Sequence, residues 1–195
     1  MLTGYEIKRQ MELSNYQKIQ RAFGKDVKPN IIINPFDIKC LGTNSYDIHL
    51  NNKLLVYTNP FINKALDAKS ENSTIEICIP KEGLVLQPNK LYLGSTIEYT
   101  ETHNLIPVID GRSSIGRLGL FVHITAGFGD IGFCGKWTLE IVVIHPTKIY
   151  PNMRIGQIYY EKPDGKITQL YNGHYQYQRG AVATKINHTD NWQKQ

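Results

Sequence analysis

The feature that most constrains the fold is a succession of short runs in which apolar and polar residues alternate. "SYDIHL" (residues 45–50) and "TIEICIP" (residues 74–80) both place an apolar side chain at every second position. Alternation of this kind is typical of a β-strand that buries one face. The expected inward faces are Tyr46, Ile48 and Leu50 in the first run, and Ile75, Ile77 and Ile79 in the second.

Similar runs continue along the chain, and turn-forming residues separate them. The further strand candidates are "IIIN", "GLVLQP", "KLYLGSTIEY", "NLIPVI", "GLFVHI", "KWTLEIVVI" and "RIGQIYYE". The turn signals between several of them are "LNNK", "QPNK", "YPNM" and "KPDG". Many short strands with little helix predict a mainly β protein, built as an antiparallel barrel or a jelly-roll-like sandwich.

The N-terminus is the exception to this pattern. Thr3 can cap a helix, Glu6 lies three residues further on as in a capping box, and Ile7 and Met11 fall on one face. These residues predict a short N-terminal helix. The segment "KDVKPN" then breaks the helical pattern before the first strand.

The length and the C-terminal composition indicate how the chain is organised. With 195 residues, of which 41% are hydrophobic, we expect a single domain over residues 1–195. Residues 163–195 are rich in Gly, Gln, Asn and Tyr, and we expect an arm here that becomes ordered when something binds.

Several function classes are unexpected for this composition. No apolar run has the length that a membrane span needs, and "MLTGYEIKRQ" lacks the apolar core of a signal peptide, so an intracellular protein is expected. Three widely spaced cysteines argue against a disulfide framework. A zinc nucleobase deaminase would carry H-x-E followed by P-C-x-x-C, and neither motif occurs. The net charge of +5 fits nucleic acid or a small polyanion, although the 22 Lys and Arg residues form no cluster.

The segment "GRSSIGR" (residues 111–117) has the residue types of an anion site. It follows the strand candidate "LIPVID" and suits a tight turn into a brief helix, with Ser113 or Ser114 as the cap. Arg112 and Arg117 flank it, and guanidinium groups grip phosphate oxygens in forked pairs. An ordinary capped turn with surface arginines would have the same pattern.

The segment "TAGFGDIGF" (residues 125–133) places glycines around Asp130. Glycine lets the backbone approach a ligand closely, and some of these positions can require positive φ. A surface hairpin with Asp130 as a turn residue is the alternative.

Glu140 lies in the apolar segment "KWTLEIVVI". A glutamate there either faces solvent or is held inside for a purpose. In the second case desolvation would favour the neutral form, which suits a group that takes and returns a proton. His123, between apolar neighbours, has no Ser or Cys partner in the pattern and supports no triad.

These motifs as a set, with "LGTNSYDIHL" upstream and "YQYQRGAVATKI" downstream, resemble the dCTP deaminases of the trimeric dUTPase superfamily. The resemblance covers about residues 30–186. "GRSS" also occurs in plain dUTPases, whereas the glutamate of "TLE", Glu140 here, distinguishes the deaminases. The resemblance implies a distorted β-barrel or jelly roll of the dUTPase-like (β-clip) type. It also implies a cytoplasmic homotrimer with active sites shared between subunits.

The resemblance also implies roles for individual residues. Glu140 would activate the water that attacks C4 of cytosine, and Ser113 and Arg117 would position that water and stabilise the developing charge. The substrate-binding residues would be Arg112, Ser114, Ile115, Gly116, Ala126, Gly127, Phe128, Asp130, Phe133, Thr138, Leu139, Gln157, Tyr171, His174 and Gln178. No zinc and no protein-bound metal are expected, and Mg²⁺ would be carried by the nucleotide phosphates.

Two features of the sequence bear on the reaction products and on phosphate binding. Family members that release dUTP usually carry a His-Arg pair where this chain has Gly127 and Phe128, which resemble the bifunctional branch that forms dUMP. In that branch Asp130 could also orient a water onto the α-phosphate. His174 departs from the family, which usually has a lysine in the arm.

Several functional alternatives stay open. The first is a deaminase that converts dCTP to dUMP, ammonia and pyrophosphate. The others are a deaminase that releases dUTP, a plain dUTPase, and a non-catalytic nucleotide-binding regulator. dUTP is an alternative substrate, and dTTP is a candidate inhibitor through Val122 and His123. No nucleic acid and no membrane are expected as partners.

Overall fold

The computed structural model describes residues 1–22, 30–62 and 64–189. Within them the chain is mainly β. The strands are β1 (Ile31–Asn34), β2 (Tyr46–His49), β3 (Lys53–Tyr57), β4 (Thr74–Cys78), β5 (Leu84–Leu86), β6 (Tyr92–Ser95), β7 (Tyr99–Thr102), β8 (Ile106–Gly111), β9 (Leu120–Phe121), β10 (Cys134–Gly135), β11 (Thr138–Val143), β12 (Thr147–Ile149) and β13 (Arg154–Glu161). The helices are α1 (Gly4–Ala22), α2 (Ser113–Gly116) and α3 (Ile186–Thr189), with two 3₁₀ turns at Ile38–Cys40 and Asn59–Ile62.

The strands pair antiparallel throughout the described residues. They form sheets of order β1-β7-β10, β4-β3-β6-β11-β9, β12-β5 and β2-β13-β8. This confirms the mainly β prediction, although the pairing divides into four sheets and does not close into one ring. One hydrophobic core joins residues from α1 and from all four sheets.

The N-terminal helix is longer than the sequence predicts, since α1 extends to Ala22. Thr3 Oγ1 accepts a hydrogen bond from the amide of Glu6 at 3.3 Å, which confirms the cap, and Ile7 is fully buried. The Glu6 carboxylate binds Arg9 instead of closing the capping box, and the pKa of Glu6 falls to about 2 mainly because of this hydrogen bond. The predicted break at "KDVKPN" lies almost entirely outside the described residues.

The alternating pattern predicts burial well in β2 and less well in β4. Tyr46, Ile48 and Leu50 are all buried, as expected. On β4, Ile79 just beyond the strand is buried, but Ile75 is 46% exposed, so the prediction that it faces inward is wrong. Both β2 and β4 are edge strands of their sheets, so the difference lies in what covers each strand face and not in the position of the strand in its sheet.

β11 lies inside the five-stranded sheet, between β6 and β9. Its buried side chains are Leu139, Ile141 and Val143, on the core face. Thr138 and Glu140 therefore point to the opposite face, because successive side chains of a strand alternate. Glu140 pairs with Leu93 of β6 in the ladder.

The C-terminal segment, residues 163–189, lies against the part of the chain between residues 131 and 138. Tyr171 N donates to Ile131 O at 2.7 Å, and Lys136 N donates to Gln178 O at 2.9 Å. The sequence predicts an arm that becomes ordered on binding, whereas these backbone bonds join it to the body within one chain. The end of that predicted arm, residues 190–195, lies outside the described residues. No described helix has the length and apolar character needed to cross a membrane.

Candidate active site

A cavity of ≈ 570 Å³ lies beside the outer face of β11. Its walls come from β11, from the turn at residues 124–130 and from the C-terminal segment. The predicted site residues that line it are Ala126, Phe128, Asp130, Phe133, Thr138, Glu140, Tyr171 and Gln178. The structure therefore brings together predicted residues from two separate parts of the sequence, residues 126–140 and residues 171–178.

Glu140 is half-buried in the wall of this cavity. Its Oε2 accepts a hydrogen bond of 3.0 Å from the backbone amide of Ile124. Its own backbone is fixed as well, because the amide of Glu140 donates to Val122 O at 2.9 Å. Within the part of the chain that the structure describes, Oε1 has no hydrogen-bond partner. The carboxylate is thus oriented by one oxygen, and the other can contact a bound molecule or water.

Aromatic rings form the floor of the cavity. The ring centroid of Phe133 lies 4.7 Å from that of Trp137 and 6.0 Å from that of Tyr171, both in tilted geometry. Trp137 is anchored from behind, since its Nε1 donates to Thr100 Oγ1 at 2.9 Å. The tilted arrangement is an energetically favourable packing of aromatic rings. The cavity wall therefore offers an apolar surface against which a ring of a bound molecule can pack.

Neighbouring rings and backbone conformation explain why "TAGFGDIGF" contains glycines. A Cβ built on Gly129 would lie 2.1 Å from the indole of Trp137, so the glycine makes room for that ring. A Cβ on Gly127 would lie 3.0 Å from the ring of His123. Gly132 has φ of +98°, which L side chains rarely adopt.

Side-chain hydrogen bonds hold the C-terminal segment beside the cavity. Thr138 Oγ1 accepts from Val182 N at 3.1 Å, and Tyr57 Oη accepts from Thr184 N at 2.9 Å. Gln178 Nε2 donates to Lys136 O at 2.6 Å. Among the described residues Gln178 Oε1 is buried without a hydrogen-bond partner. A buried acceptor of this kind is costly unless something donates to it.

The segment "GRSSIGR" (residues 111–117), here called the serine–arginine turn, does not line this cavity. Arg112, with extended backbone, is the N-cap of α2 and makes no side-chain cap bond, so the prediction that Ser113 or Ser114 caps the helix is wrong. The helix begins at Ser113, whereas a cap at Ser113 would have it begin at residue 114. Both serines and Arg117 are exposed, whereas Arg112 Nε lies 3.1 Å from Asp47 Oδ1.

Other predicted residues also lie away from the cavity of this chain. The side chains of Ile115 and Leu139 are in the core. Gln157 accepts from Ser45 Oγ at 3.2 Å in the sheet β2-β13-β8, and His174 is exposed. The predicted residues that do not line the cavity are Arg112, Ser113, Ser114, Ile115, Gly116, Arg117, Gly127, Leu139, Gln157 and His174.

Some residues that form the cavity are absent from the sequence prediction. Trp137 precedes "TLE" directly, so its place in the motif could have indicated it. Ile124 contributes a backbone amide, which side-chain chemistry cannot reveal. Tyr57 and Tyr175 reach the cavity through contacts distant in sequence, and no local pattern marks them.

The cavity wall suits organic and aromatic groups better than zinc. Its acidic side chains are Asp130 and Glu140, and the described residues that line it include neither histidine nor cysteine. Zinc sites in proteins are built mainly from histidine and cysteine.

The chain is similar to known proteins over most of its length. The family model described as dCTP deaminase-like matches residues 4–163. A protein from Cytophaga hutchinsonii named "dCTP deaminase, dUMP-forming" is 54% identical over 84% of this chain and 90% of its own length. Proteins of the same name from Hathewaya histolytica and Leptospira biflexa are 53% and 51% identical, over 80% and 84% of this chain and 91% and 90% of their own lengths.

A solved structure is similar at the level of fold. It is the 2'-deoxycytidine 5'-triphosphate deaminase from Agrobacterium tumefaciens, with a TM-score of 0.52 and 19% identity. The match covers 75% of this chain and 46% of that chain.

Proposed function

The chain belongs to the dCTP deaminase-like family, and we propose that it converts dCTP and water to dUMP, ammonia and pyrophosphate. The observation that carries this proposal is the oriented carboxylate of Glu140 in a cavity that can hold a nucleotide base. The names of relatives more than half identical to the chain support both the substrate and the product. A plain dUTPase reaction would have no use for this carboxylate.

In the deamination step Glu140 acts as the proton acceptor and donor. Its carboxylate takes a proton from a water molecule, which attacks C4 of the cytosine ring, and passes this proton to N3. In the tetrahedral intermediate Glu140 takes the proton of the new C4 hydroxyl and gives it to the amino group. The C4–N4 bond then breaks, ammonia leaves, and the C4 carbonyl of the uracil ring forms. The amide of Ile124 keeps the carboxylate oriented through these transfers. General acid–base catalysis of this kind contributes about 10²–10⁴-fold to a rate.

The walls of the cavity supply substrate binding. Phe133 and Trp137 form the apolar surface beneath the nucleoside, and Asp130 holds the 3′-hydroxyl of the deoxyribose. Gln178 Oε1 offers a buried acceptor to an N–H or O–H donor of the nucleotide. Tyr171 belongs to the same wall, on the C-terminal segment.

The triphosphate is bound by the serine–arginine turn of a neighbouring subunit in a homotrimer. In one chain Ser113, Ser114 and Arg117 are exposed and do not line the cavity with Glu140, so a second copy must supply them if they act at the same site. Ser113 and Arg117 then position the water and stabilise negative charge, while Arg112 and Ser114 contact phosphate oxygens. Mg²⁺ enters as part of the substrate, bound to the triphosphate.

The second half of the reaction cleaves the triphosphate. A water oriented by Asp130 attacks the α-phosphorus, the bond to the β-phosphate breaks, and pyrophosphate leaves with dUMP as the other product. Gly127 and Phe128 stand where family members that release dUTP usually carry a His-Arg pair, and this sequence feature favours the dUMP-forming outcome. We place the reaction in the cytoplasm, and inhibition by dTTP stays a prediction.

Product analysis tests the proposal. The purified protein is incubated with Mg²⁺ and either dCTP or dUTP, and nucleotides, ammonia and pyrophosphate are quantified. We expect equal amounts of dUMP, ammonia and pyrophosphate from dCTP. Accumulation of dUTP would refute the second step, and a lack of action on dCTP would refute the whole proposal.

A further inference from the structure

Three side chains with metal-binding donor atoms converge outside the cavity, at the sheet β1-β7-β10. Glu101 lies on β7, His103 follows two residues later, and Cys134 of β10 pairs with Glu101 in the antiparallel register. Residues two apart on a strand share a face, and residues directly opposite each other on paired strands do so too. The register therefore sets Glu101 and Cys134 on one side of the sheet, and His103, one residue beyond the end of β7, contacts both of them there.

The separations of the donor atoms fit a single ion. His103 Nε2 lies 3.3 Å from Glu101 Oε2 and 3.8 Å from Cys134 Sγ, and all three donor atoms lie within 4.8 Å of one another. With ligand bonds of about 2.0–2.3 Å, donors on a tetrahedral ion stand roughly 3.3–3.7 Å apart. Small side-chain adjustments would bring the three atoms onto one centre.

The chemistry of the donors indicates which ion this would be. Thiolate, imidazole and carboxylate together favour Zn²⁺ over Mg²⁺ or Ca²⁺, which prefer oxygen ligands. Thiolate and carboxylate carry two negative charges, which a divalent ion neutralises. His103 Nδ1 is buried and has no hydrogen-bond partner within the described residues, so the ring makes its polar side-chain contacts through Nε2.

The cluster is accessible from one side. Cys134 is 3% exposed, whereas the side chains of His103 and Glu101 are 16% and 22% exposed. The partial exposure of His103 and Glu101 gives an ion access to the cluster from solvent.

We propose that Glu101, His103 and Cys134 bind one Zn²⁺ ion in a structural site separate from the cavity. The family resemblance implies no zinc and no protein-bound metal, so this site departs from that expectation. On binding, the Cys134 thiol, now 3.5 Å from Gly132 O, releases its proton to solvent and forms the sulfur–zinc bond. His103 binds as neutral imidazole through Nε2, and Glu101 as carboxylate.

The ion acts on the segment that fastens the C-terminal part of the chain. Cys134 N donates to Gln176 Oε1 at 2.8 Å, and Cys134 O accepts from Tyr177 N at 2.7 Å. Cys134 also adjoins Phe133 of the cavity floor. Zinc therefore stabilises the folded chain and the attachment of residues 176–178. Thermal unfolding should shift upward by about 5–10 °C when Zn²⁺ is present at about 100 times its Kd.

Cobalt substitution tests this site without reference to turnover. The full-length protein is treated with a chelator, desalted and titrated with Co²⁺, and thiolate-to-cobalt charge transfer and visible d–d bands are recorded. We expect one Co²⁺ per chain with a tetrahedral spectrum, displaced by Zn²⁺. Cys134→Ser and His103→Gln should both abolish the charge-transfer band or weaken binding at least tenfold. His103→Gln serves as the safer variant because Cys134 is buried.

The other cysteines provide matched controls. Cys78→Ser removes an exposed thiol, and Cys40→Ser removes a thiol 3.8 Å from His49 Nε2. Both variants should keep the spectrum and the zinc-induced thermal shift. The proposal is overturned if no charge-transfer band appears, if folded His103→Gln keeps both the band and the wild-type affinity for Co²⁺, or if the band disappears in Cys40→Ser or Cys78→Ser.

Discussion

The amide of Ile124 donates a 3.0 Å hydrogen bond to Oε2 of Glu140 and thereby joins the turn after β9 to the middle of β11. The turn also carries Ala126, Phe128 and Asp130, all of which line the cavity. The position of the carboxylate and the shape of the cavity are therefore coupled.

Shortening the Glu140 side chain should impair catalysis more than binding. Glu140→Asp keeps the charge but draws the carboxylate back by one methylene, away from Ile124 N and from the base. A displacement of this size at a reacting group can lower kcat by about 10²-fold. Steady-state kinetics with dCTP measure it. A kcat within threefold of the wild type would show that the position of the carboxylate is unimportant.

Filling the space above Trp137 should distort the cavity floor. Gly129→Ala would place Cβ 2.1 Å from the indole, and the ring must move. Overpacking of this kind costs about 1–3 kcal/mol in free energy of unfolding, and KM for dCTP should rise. Urea denaturation and kinetics test both effects.

Gly180→Ala is the matched control, since a Cβ there has nothing within 4 Å. It should leave stability and KM nearly unchanged. Equal effects of the two substitutions would contradict the steric explanation.

Loosening the C-terminal segment should weaken substrate binding. Tyr57→Phe removes the hydroxyl that accepts from Thr184 N, a hydrogen bond with a net value of about 1 kcal/mol. KM should rise about fivefold while kcat changes little. Tyr5→Phe, at a side chain 77% exposed, is the control. An unchanged KM in Tyr57→Phe would mean that this fastening does not contribute to binding.

Subunit mixing should reveal whether the active site is shared. Glu140→Gln and Arg117→Ala chains are each expected to be inactive. After unfolding and joint refolding, random assembly gives both native residues to roughly a quarter of the sites. Activity should therefore recover to about that fraction of the wild type. Refolding each variant alone is the control, and no gain on mixing would contradict a site built from two chains.

The sequence predicts most of the strands because they depend on local alternation, but it leaves open whether Glu140 faces solvent. Tyr46 and Ile48 are buried as the pattern requires. Ile75 is the exception, since burial depends on what covers a strand face, and the sequence of the strand alone does not show this.

The site was harder to predict where it depends on contacts distant in sequence or on backbone groups. Ile124 acts through its amide, and Tyr57 meets Thr184 across 127 residues of sequence. Gly129 looks like a ligand-facing glycine in its motif, yet it accommodates Trp137. These contacts form only in the folded chain, so local sequence patterns do not reveal them.

The most direct test of the central claim is ammonia release from dCTP by Glu140→Gln. The amide side chain keeps the size of glutamate and an oxygen that can accept from Ile124 N, but it cannot carry the proton. We predict that kcat for ammonia release falls by about 10²–10⁴-fold, while the Kd for dCTP, measured by calorimetry, changes less than about threefold. Ammonia release at nearly the wild-type rate would contradict the account and remove Glu140 from the mechanism.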